Sequence, residues 1–583
     1  MPTLNWIGKD KVINHHMDVP FKVLEHSYGF DNGTQSERET NSGNKIIHGD
    51  NLEALKALLP EYEGRINCIY IDPPYNTGNE NWIYNDNVND SKIKKWLGNV
   101  VGRDDLSRHD KWLSMMYPRL KLLHKLLAEN GVLLISINFQ FEHSHLKCIV
   151  DEIFGKTNYV GEITWESTTQ PINSGSARFG LQQKVEPIIF YAKNIKTQKG
   201  FVLKELDNGL KYPHNGKLGK CRFEIIEKSD AGGYKRNSMK FPILGQEPRV
   251  GKRWQIGEDT AIQLEKNNRI EIVDGIVKKA IYPEDEIDKQ TFIPFWSHFY
   301  AYEVGTAQSG KDLLNEILEY AVGFDTVKPL KLLEEIISHF DDKAIILDSF
   351  SGSGTTAHAV LNLNNRLGGD RKFILIEMEK YAENITSERI KRVIKGYNFS
   401  GEKKFDLKTY KINLNNLKNA ESIIEDYKKF KVNKKYSSVK IEARNDNIII
   451  SGTEKIASKV EGIKGGFDFF TLGQPLFLED GNLNEEVTID KIRQYIFYSE
   501  TKKTLVITKN KDNKYFLGKN DDTGYYFNYE LYKVTTLDHA FLATIKTEAE
   551  QYVIYADNCL LTKDFMTKNH IIFKKIPRDI TRF

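Results

Sequence analysis

The chain reads as an α/β protein built on a parallel sheet, and three observations predict it. Two short apolar runs, at 66–71 and 345–347, each end on an acid followed by a tight turn. A third, Phe373-Ile-Leu-Ile-Glu377, ends on an acid about 20 residues after a glycine-rich turn. Between such runs the pattern turns helical: Leu113, Met116, Leu120, Leu123 and Leu127 recur at three- and four-residue spacing. Strands alternating with amphipathic helices call for a parallel sheet covered on both faces.

The first run leads into Asp72-Pro-Pro-Tyr75. Two successive prolines stiffen the turn and donate no backbone hydrogen bonds, so their carbonyls stay available. Asp72 and the Pro73 carbonyl can then accept both hydrogens of one amino group, and Pro74 delivers Tyr75 as a flat stacking face. Acceptors beside a stacking ring suit the exocyclic amine of a planar base held outside its helix.

The second run leads into Asp348-Ser-Phe-Ser-Gly-Ser-Gly-Thr-Thr356, followed by a helical segment. Gly352 and Gly354 at a strand-to-helix turn allow close backbone approach, and the helix N-terminus offers unpaired N–H groups. No lysine follows the glycines, which excludes a phosphate-cradling P-loop. Glu377 sits where an acid holds ribose hydroxyls in this architecture. A ribose clamp without a phosphate lysine predicts an adenosine cofactor with a non-phosphate tail, and S-adenosyl-L-methionine is the natural candidate.

Together the two motifs resemble those of the DNA amino-methyltransferases, with Asp72–Tyr75 in the place of their catalytic motif and the segment around Phe350 in that of their cofactor motif. The order, catalytic half first, resembles the β-class permutation, and the resemblance implies a Rossmann-like S-adenosylmethionine-dependent sheet. The segment Asn44-Lys-Ile-Ile-His-Gly-Asp50 resembles one whose acid faces the cofactor adenine, and Asp325-Thr-Val-Lys-Pro-Leu330 resembles the one leading the cofactor half. The resemblance thereby implies cofactor roles for Asp50, Lys328, Asp348, Phe350, Gly352, Gly354, Thr355, Thr356 and Glu377. The nearest likeness is to the modification subunit of Type III restriction–modification systems, carried by length, a long insert and the C-terminal segments at 465–470 and 572–580. After Ser136-Ile137 those subunits usually carry an Asp-Asp pair, whereas this chain reads Asn138-Phe139-Gln140. The family's substrate is double-stranded DNA; the resemblance further implies a homodimer and a helicase–nuclease restriction subunit as partner. Adenine N6 is the expected target, because the family tends to place Ser before Pro-Pro-Tyr for cytosine N4. The alternatives are that cytosine chemistry, or a non-catalytic DNA-recognition subunit keeping the fold as scaffold.

Composition is that of an ordinary globular protein, 40% hydrophobic and 28% charged, and the net charge of +3 says little about partners. Residues 191–260, however, carry 15 Lys and Arg against 8 Asp and Glu, interleaved with aromatics. Lys235, Arg236, Arg249, Lys252 and Arg253 are the expected DNA contacts, because such groups neutralise phosphates and arginine reads guanine. The four cysteines are scattered without C-x-x-C spacing, so neither a zinc site nor a disulfide framework is expected. No run approaches the roughly 18 apolar residues of a membrane span, and the opening residues lack a secretory layout, so a cytoplasmic location is expected.

The expected organisation is an N-terminal arm (1–41), the catalytic half (42–195), a target-recognition insert (196–290), the cofactor half (291–400), a lysine-rich linker (401–440) and a C-terminal mixed α/β domain (441–583). Strands are expected in the last near 447–450, 504–508, 552–556 and 570–574. His109, His143 and His145 read as surface histidines with no shared partner, the run Tyr525–Tyr529 as a strand, and Met115 and Met116 as core.

Overall fold

The structure, a computed structural model, describes residues 3–77, 107–171, 181–205, 211–231, 236–286, 292–324, 326–413, 416, 418, 420–444, 446–506 and 513–578. Residues 201–295 form one compact unit, and residues 1–200 with 296–583 the other. The bounds of the smaller unit lie five residues beyond those expected for the insert, 196–290.

The larger unit is organised by an eleven-stranded sheet. Its strands are β1 (Lys22–Asp31), β2 (Thr34–Ser36), β3 (Lys45–His48), β4 (Ile66–Ile71), β5 (Leu127–Ser136), β6 (Tyr159–Glu166), β7 (Val185–Ala192), β8 (His298–Phe299), β9 (Ile345–Asp348), β10 (Lys372–Glu377) and β11 (Gly466–Pro475). They lie in the order β8-β6-β7-β5-β4-β9-β10-β3-β11-β1-β2. From β5 to β11 every neighbouring pair is parallel. Helices α1 (Asn51–Tyr62), α2 (Arg108–Leu126), α3 (His143–Phe154), α4 (Ala307–Leu318), α5 (Leu330–Ser338) and α6 (Thr355–Leu367) accompany these strands. Strands buried on both faces read as continuous apolar runs, and Ile69, Leu133, Ile346, Leu347, Phe373 and Ile374 are all fully buried. The predicted α/β class is the observed one. The adjacency of β4 and β9, joined through Ile346 to Cys68 and Leu347 to Ile69, brings the two sequence motifs to one edge of the sheet.

Three sequence expectations are corrected. The segment expected as an arm, 1–41, is not free over its described residues 3–41: Lys9–Val12 and His15–Asp18 are helical, and β1 pairs antiparallel with β11. Asp468 of β11 fixes this arrangement, accepting the Thr40 N–H at 2.7 Å and hydroxyl at 2.8 Å and meeting His26 at 3.1 Å. The C-terminal domain does not begin at 441, because β11 belongs to the main sheet; Asn44 ties it in, donating to the Gly466 carbonyl and accepting from the Phe373 N–H. The supposed linker 401–440 contains most of a long strand, Gly396–Lys411, paired with Asn447–Glu461, and a helix at Ala420–Lys431. Beyond β11 a four-stranded sheet (Phe516–Asn520, Thr523–Phe527, Gln551–Ala556, Ile571–Lys575) packs with helix Ile489–Thr501. Tyr525, Tyr526 and Phe527 form a strand as expected, whereas residues 504–506 form none and 507–508 lie outside the described residues.

The smaller unit has its own core around Trp254, which is fully buried and donates its indole N–H to the Phe241 carbonyl at 2.6 Å.

Candidate active site

Four acids leave the carboxyl ends of neighbouring parallel strands: Asp50 just past β3, Asp72 just past β4, Asp348 ending β9 and Glu377 ending β10. Open parallel sheets bind ligands at this edge. Asp50, Asp72, Pro74, Phe350, Gly352 and Glu377 line a single cleft of about 300 Å³.

On the β4 side the Pro-Pro turn is held from outside. Trp112, fully buried on α2, donates its indole N–H to the Pro74 carbonyl at 2.7 Å. Asn76 continues the turn at φ +57°, a conformation asparagine tolerates better than most residues, and its amide donates to the buried carboxylate of Glu142. Tyr75 donates its hydroxyl to Glu186 at 3.1 Å. Lys328 reaches in from the segment before α5, its ammonium 2.8 and 3.0 Å from the two Asp72 oxygens and 2.7 Å from the Tyr75 hydroxyl. Burial works against the Lys328 charge, but Asp72 and Glu186 outweigh it and raise its pKa above the ordinary lysine value.

On the β9 and β10 side the acids have no such cation among the described residues. Gly352 has φ +49° and donates its N–H to Glu377 at 2.8 Å; Glu379 donates a second N–H at 3.0 Å. Burial pushes Glu377 up to about 7 despite these bonds. Asp348 is also lifted to about 7 by burial, although Thr356 and the Phe350 N–H donate to it. Gly354 has φ +77°, and a Cβ there would crowd Thr386. Asp50 caps α1 by accepting the Glu53 N–H at 3.0 Å.

Of the sequence-predicted residues, Asp72, Pro74, Asp50, Phe350, Gly352 and Glu377 thus meet in one cleft, with Pro73 buried behind them and Tyr75 half-buried beside them. Asp348, Thr355 and Thr356 lie behind the lining: Thr356 bonds Asp348, and Thr355 accepts at 2.8 Å from the buried Arg389, whose pKa burial lowers to about 9. Lys328, expected among the cofactor residues, has its ammonium on Asp72 and the Tyr75 hydroxyl, and the Val327 and Lys328 carbonyls pack against Gly310 of α4. In the smaller unit Arg249 pairs with the buried Glu227 at 2.6 Å and Arg253 lies 3.7 Å from Asp230. Arg236 is exposed, Lys252 is half-buried in a short strand, and Lys235 lies outside the described residues.

The reading of the histidines is corrected too. His109 and His145 both meet Glu142, with Nδ1 of His145 at 2.8 Å, and their ligand atoms and the carboxylate all lie within 4.8 Å of one another. His143 meets Glu162 at 2.7 Å. The bond from Glu142 raises the His145 pKa despite partial burial.

A family model described as DNA methylase matches residues 66–388, more than half of the chain. This chain belongs to the DNA methylase family. The Mod subunit of the Type III restriction-modification enzyme StyLTI from Salmonella typhimurium is 31% identical over 408 residues, covering 66% of this chain and 59% of that one. The EcoP15I Mod subunit from Escherichia coli is 30% identical over 437 residues, covering 65% and 64%. Type II methyltransferase M.KpnI from Klebsiella pneumoniae is 30% identical over 369 residues, covering 58% and 81%. The chain spans about six tenths of the length of the two Type III relatives.

In this member of the DNA methylase family the residues that sequence reasoning missed are the supports. Trp112, Glu142 and Glu186 stand on α2, just before α3 and on β7, and each reaches the motif at 72–76. No spacing pattern announces them. The only available signal was that Glu186 and Glu142 are acids at element ends facing the sheet edge that carries the motif. No helix among the described residues is long and apolar enough to cross a membrane.

Proposed function

We propose that this chain transfers a methyl group from S-adenosylmethionine to the N6 amine of an adenine extruded from duplex DNA, as the modification subunit of a Type III restriction–modification system. One observation carries the reading: Asp72 of the turn after β4 and Phe350, Gly352 and Glu377 of the turns after β9 and β10 line the same cleft. The residues present fit the cofactor. Glu377 offers a carboxylate toward the cleft for the ribose, and Asp50 an acceptor for the cofactor adenine amine. Gly352, at positive φ with only the Phe324 ring near its missing Cβ, gives open backbone for the methionine tail. Bound there, the cofactor supplies an electrophilic methyl on a sulfonium centre.

The target amine is a poor nucleophile because its lone pair is delocalised into the ring. Asp72 and the Pro73 carbonyl accept its two N–H bonds and draw the nitrogen toward tetrahedral geometry. Positive charge then develops on that nitrogen, and the Asp72 carboxylate stabilises it without being moved. Tyr75 stacks on the base, worth about 1–3 kcal/mol, against an extrusion cost of a few kcal/mol. The methylated nitrogen sheds its extra proton to water, so no strong base is required beforehand.

The same reading takes the chain as a permuted sheet, with catalytic strand β4 preceding cofactor strand β9, and gives 201–295 the recognition of the target sequence. Arg236, Arg249, Lys252 and Arg253 are the proposed contacts, Arg249 and Arg253 exchanging their internal acids for phosphates or base edges. A second copy of the chain and a helicase–nuclease subunit are its proposed partners. Incubation with unmethylated duplex DNA and tritiated S-adenosylmethionine, followed by nucleoside analysis, tests the core of it. N6-methyladenine is expected; N4-methylcytosine, or no label in DNA, overturns the reading.

A further inference from the structure

The Lys328 ammonium presents hydrogen-bond donors where the proposed reaction needs an acceptor. It holds both Asp72 oxygens at 2.8 and 3.0 Å and the Tyr75 hydroxyl at 2.7 Å, its side chain only 10% exposed. It also lies 5.1 Å from the centre of the Tyr75 ring. A protonated alkylamine and the exocyclic amine of a base offer the same thing to a carboxylate: N–H donors at hydrogen-bond distance. The lysine therefore makes the contacts that an incoming amine would make.

The two cannot share Asp72 throughout the reaction. Positive charge builds on the target nitrogen as it is alkylated, and a second cation on the same carboxylate opposes that charge. A second acid stands ready: Glu186 Oε2 is 3.5 Å from the ammonium and already accepts the Tyr75 hydroxyl at 3.1 Å. Reaching it asks for a change of side-chain rotamer only. The backbone beneath is fixed, because Gly310 of α4 packs against the carbonyls of Val327 and Lys328 with no room for a Cβ, and Pro329 is the N-cap residue of α5.

We propose that Lys328 is a positioning residue that occupies Asp72 while no base is bound, keeps Asp72 and Tyr75 in their receiving arrangement, and passes to Glu186 when the target amine enters. The proposal rests on the methyl-transfer reading above. It makes Lys328 the internal competitor of the substrate, and Glu186 its alternative berth. Three variants separate its parts. Lys328→Met keeps length but removes the charge: Asp72 and Tyr75 lose their clamp while the competitor is gone. Lys328→Arg keeps a cation that grips carboxylates with two parallel bonds and leaves them less readily. Glu186→Gln removes the charge that draws the ammonium away.

The experiment is steady-state methylation of unmethylated plasmid DNA by the full chain, alongside calorimetric binding of S-adenosylhomocysteine. For Lys328→Met, kcat is expected to fall about tenfold or more with no rise in the KM for DNA, and S-adenosylhomocysteine to bind within about twofold of wild type. For Lys328→Arg and Glu186→Gln, the KM for DNA is expected to rise about fivefold or more. Wild-type kinetics in Lys328→Met and Glu186→Gln together would overturn the proposal. So would a Lys328→Met defect confined to S-adenosylhomocysteine affinity, which would return Lys328 to the cofactor. A wild-type chain that labels no DNA at all sinks the parent reading instead, so the two failures are distinct.

Discussion

The two sides of the cleft are built alike and charged differently. Each is a parallel strand ending on a carboxylate at the same edge of the sheet, β4 with Asp72 and β9 and β10 with Asp348 and Glu377. Asp72 is given a buried cation, Lys328, at 2.8 Å. Among the described residues Asp348 and Glu377 are given only neutral donors, and burial carries both up to about 7. On the proposed reading the difference matches two tasks. An acid that must steady a developing positive charge is kept ready for a cation. An acid that must accept from neutral hydroxyls can rest partly protonated until those hydroxyls arrive. Strand-end geometry therefore fixes where a carboxylate stands, and its immediate donors fix what it is for.

The sharpest break between the sides is Asp72→Ala. Methyl transfer is expected to fall by about a thousandfold or more, while S-adenosylhomocysteine affinity measured by calorimetry stays within a few-fold. Equal loss of both would erase the distinction. Next comes Gly310→Ala, on α4. Its new methyl group meets the backbone carbonyls of Val327 and Lys328, so kcat is expected to drop about tenfold, with a stability loss of about 1–3 kcal/mol in denaturant unfolding. An unchanged kcat would mean that the path of this segment does not govern the β4 side.

The third test is pH. Glu377 and Asp348 hold protons in the folded chain up to about 7, whereas in the unfolded chain they release them near 4.5 and 3.8. Between those limits the folded state binds more protons, so their contribution to stability is full below about pH 4 and is lost as pH rises through 7. Cofactor affinity runs the opposite way, because the ionised acceptor is the stronger one: it should tighten by several-fold from about pH 6 to 8, and Glu377→Gln should flatten that step. Titration calorimetry across that range checks it; a flat wild-type profile would show that the two sides do not differ in this respect. The smallest effect is expected at the Tyr75 hydroxyl. Tyr75→Phe should cost about two- to threefold in kcat and Tyr75→Ala clearly more, because on the proposed reading the ring stacks on the base while the hydroxyl joins Lys328 to Glu186. The reverse order would remove stacking from the mechanism.

What could be read in advance was local. The two strand-end motifs and Glu377 each announce themselves within about ten residues, since an apolar run, an acid and a turn are contiguous. The residues that hold them in place were illegible because their partners are distant: Trp112 reaches Pro74 and Glu142 reaches Asn76 from separate elements. Lys328 was expected among the cofactor residues, and its ammonium meets Asp72 and Tyr75, since sequence locates its backbone but not the reach of a four-carbon side chain. His109 and His145 looked isolated because the acid between them, Glu142, carries no spacing signal. The polar stretch before residue 42 hid β1 for a related reason. Only Tyr28, Gly29 and Phe30 of that strand are buried, so half of it reads as solvent-facing until its partner at 466–475 is known.

That last pairing sets a timetable. The ribosome delivers residues 22–31 long before 466–475, and at about 5–20 residues per second the wait is on the order of half a minute to a minute and a half. Throughout it the nascent protein carries an unfinished flank at β3, with unpaired amides and carbonyls open to any extended chain nearby. A cell making this chain must shelter that flank until the late strand emerges.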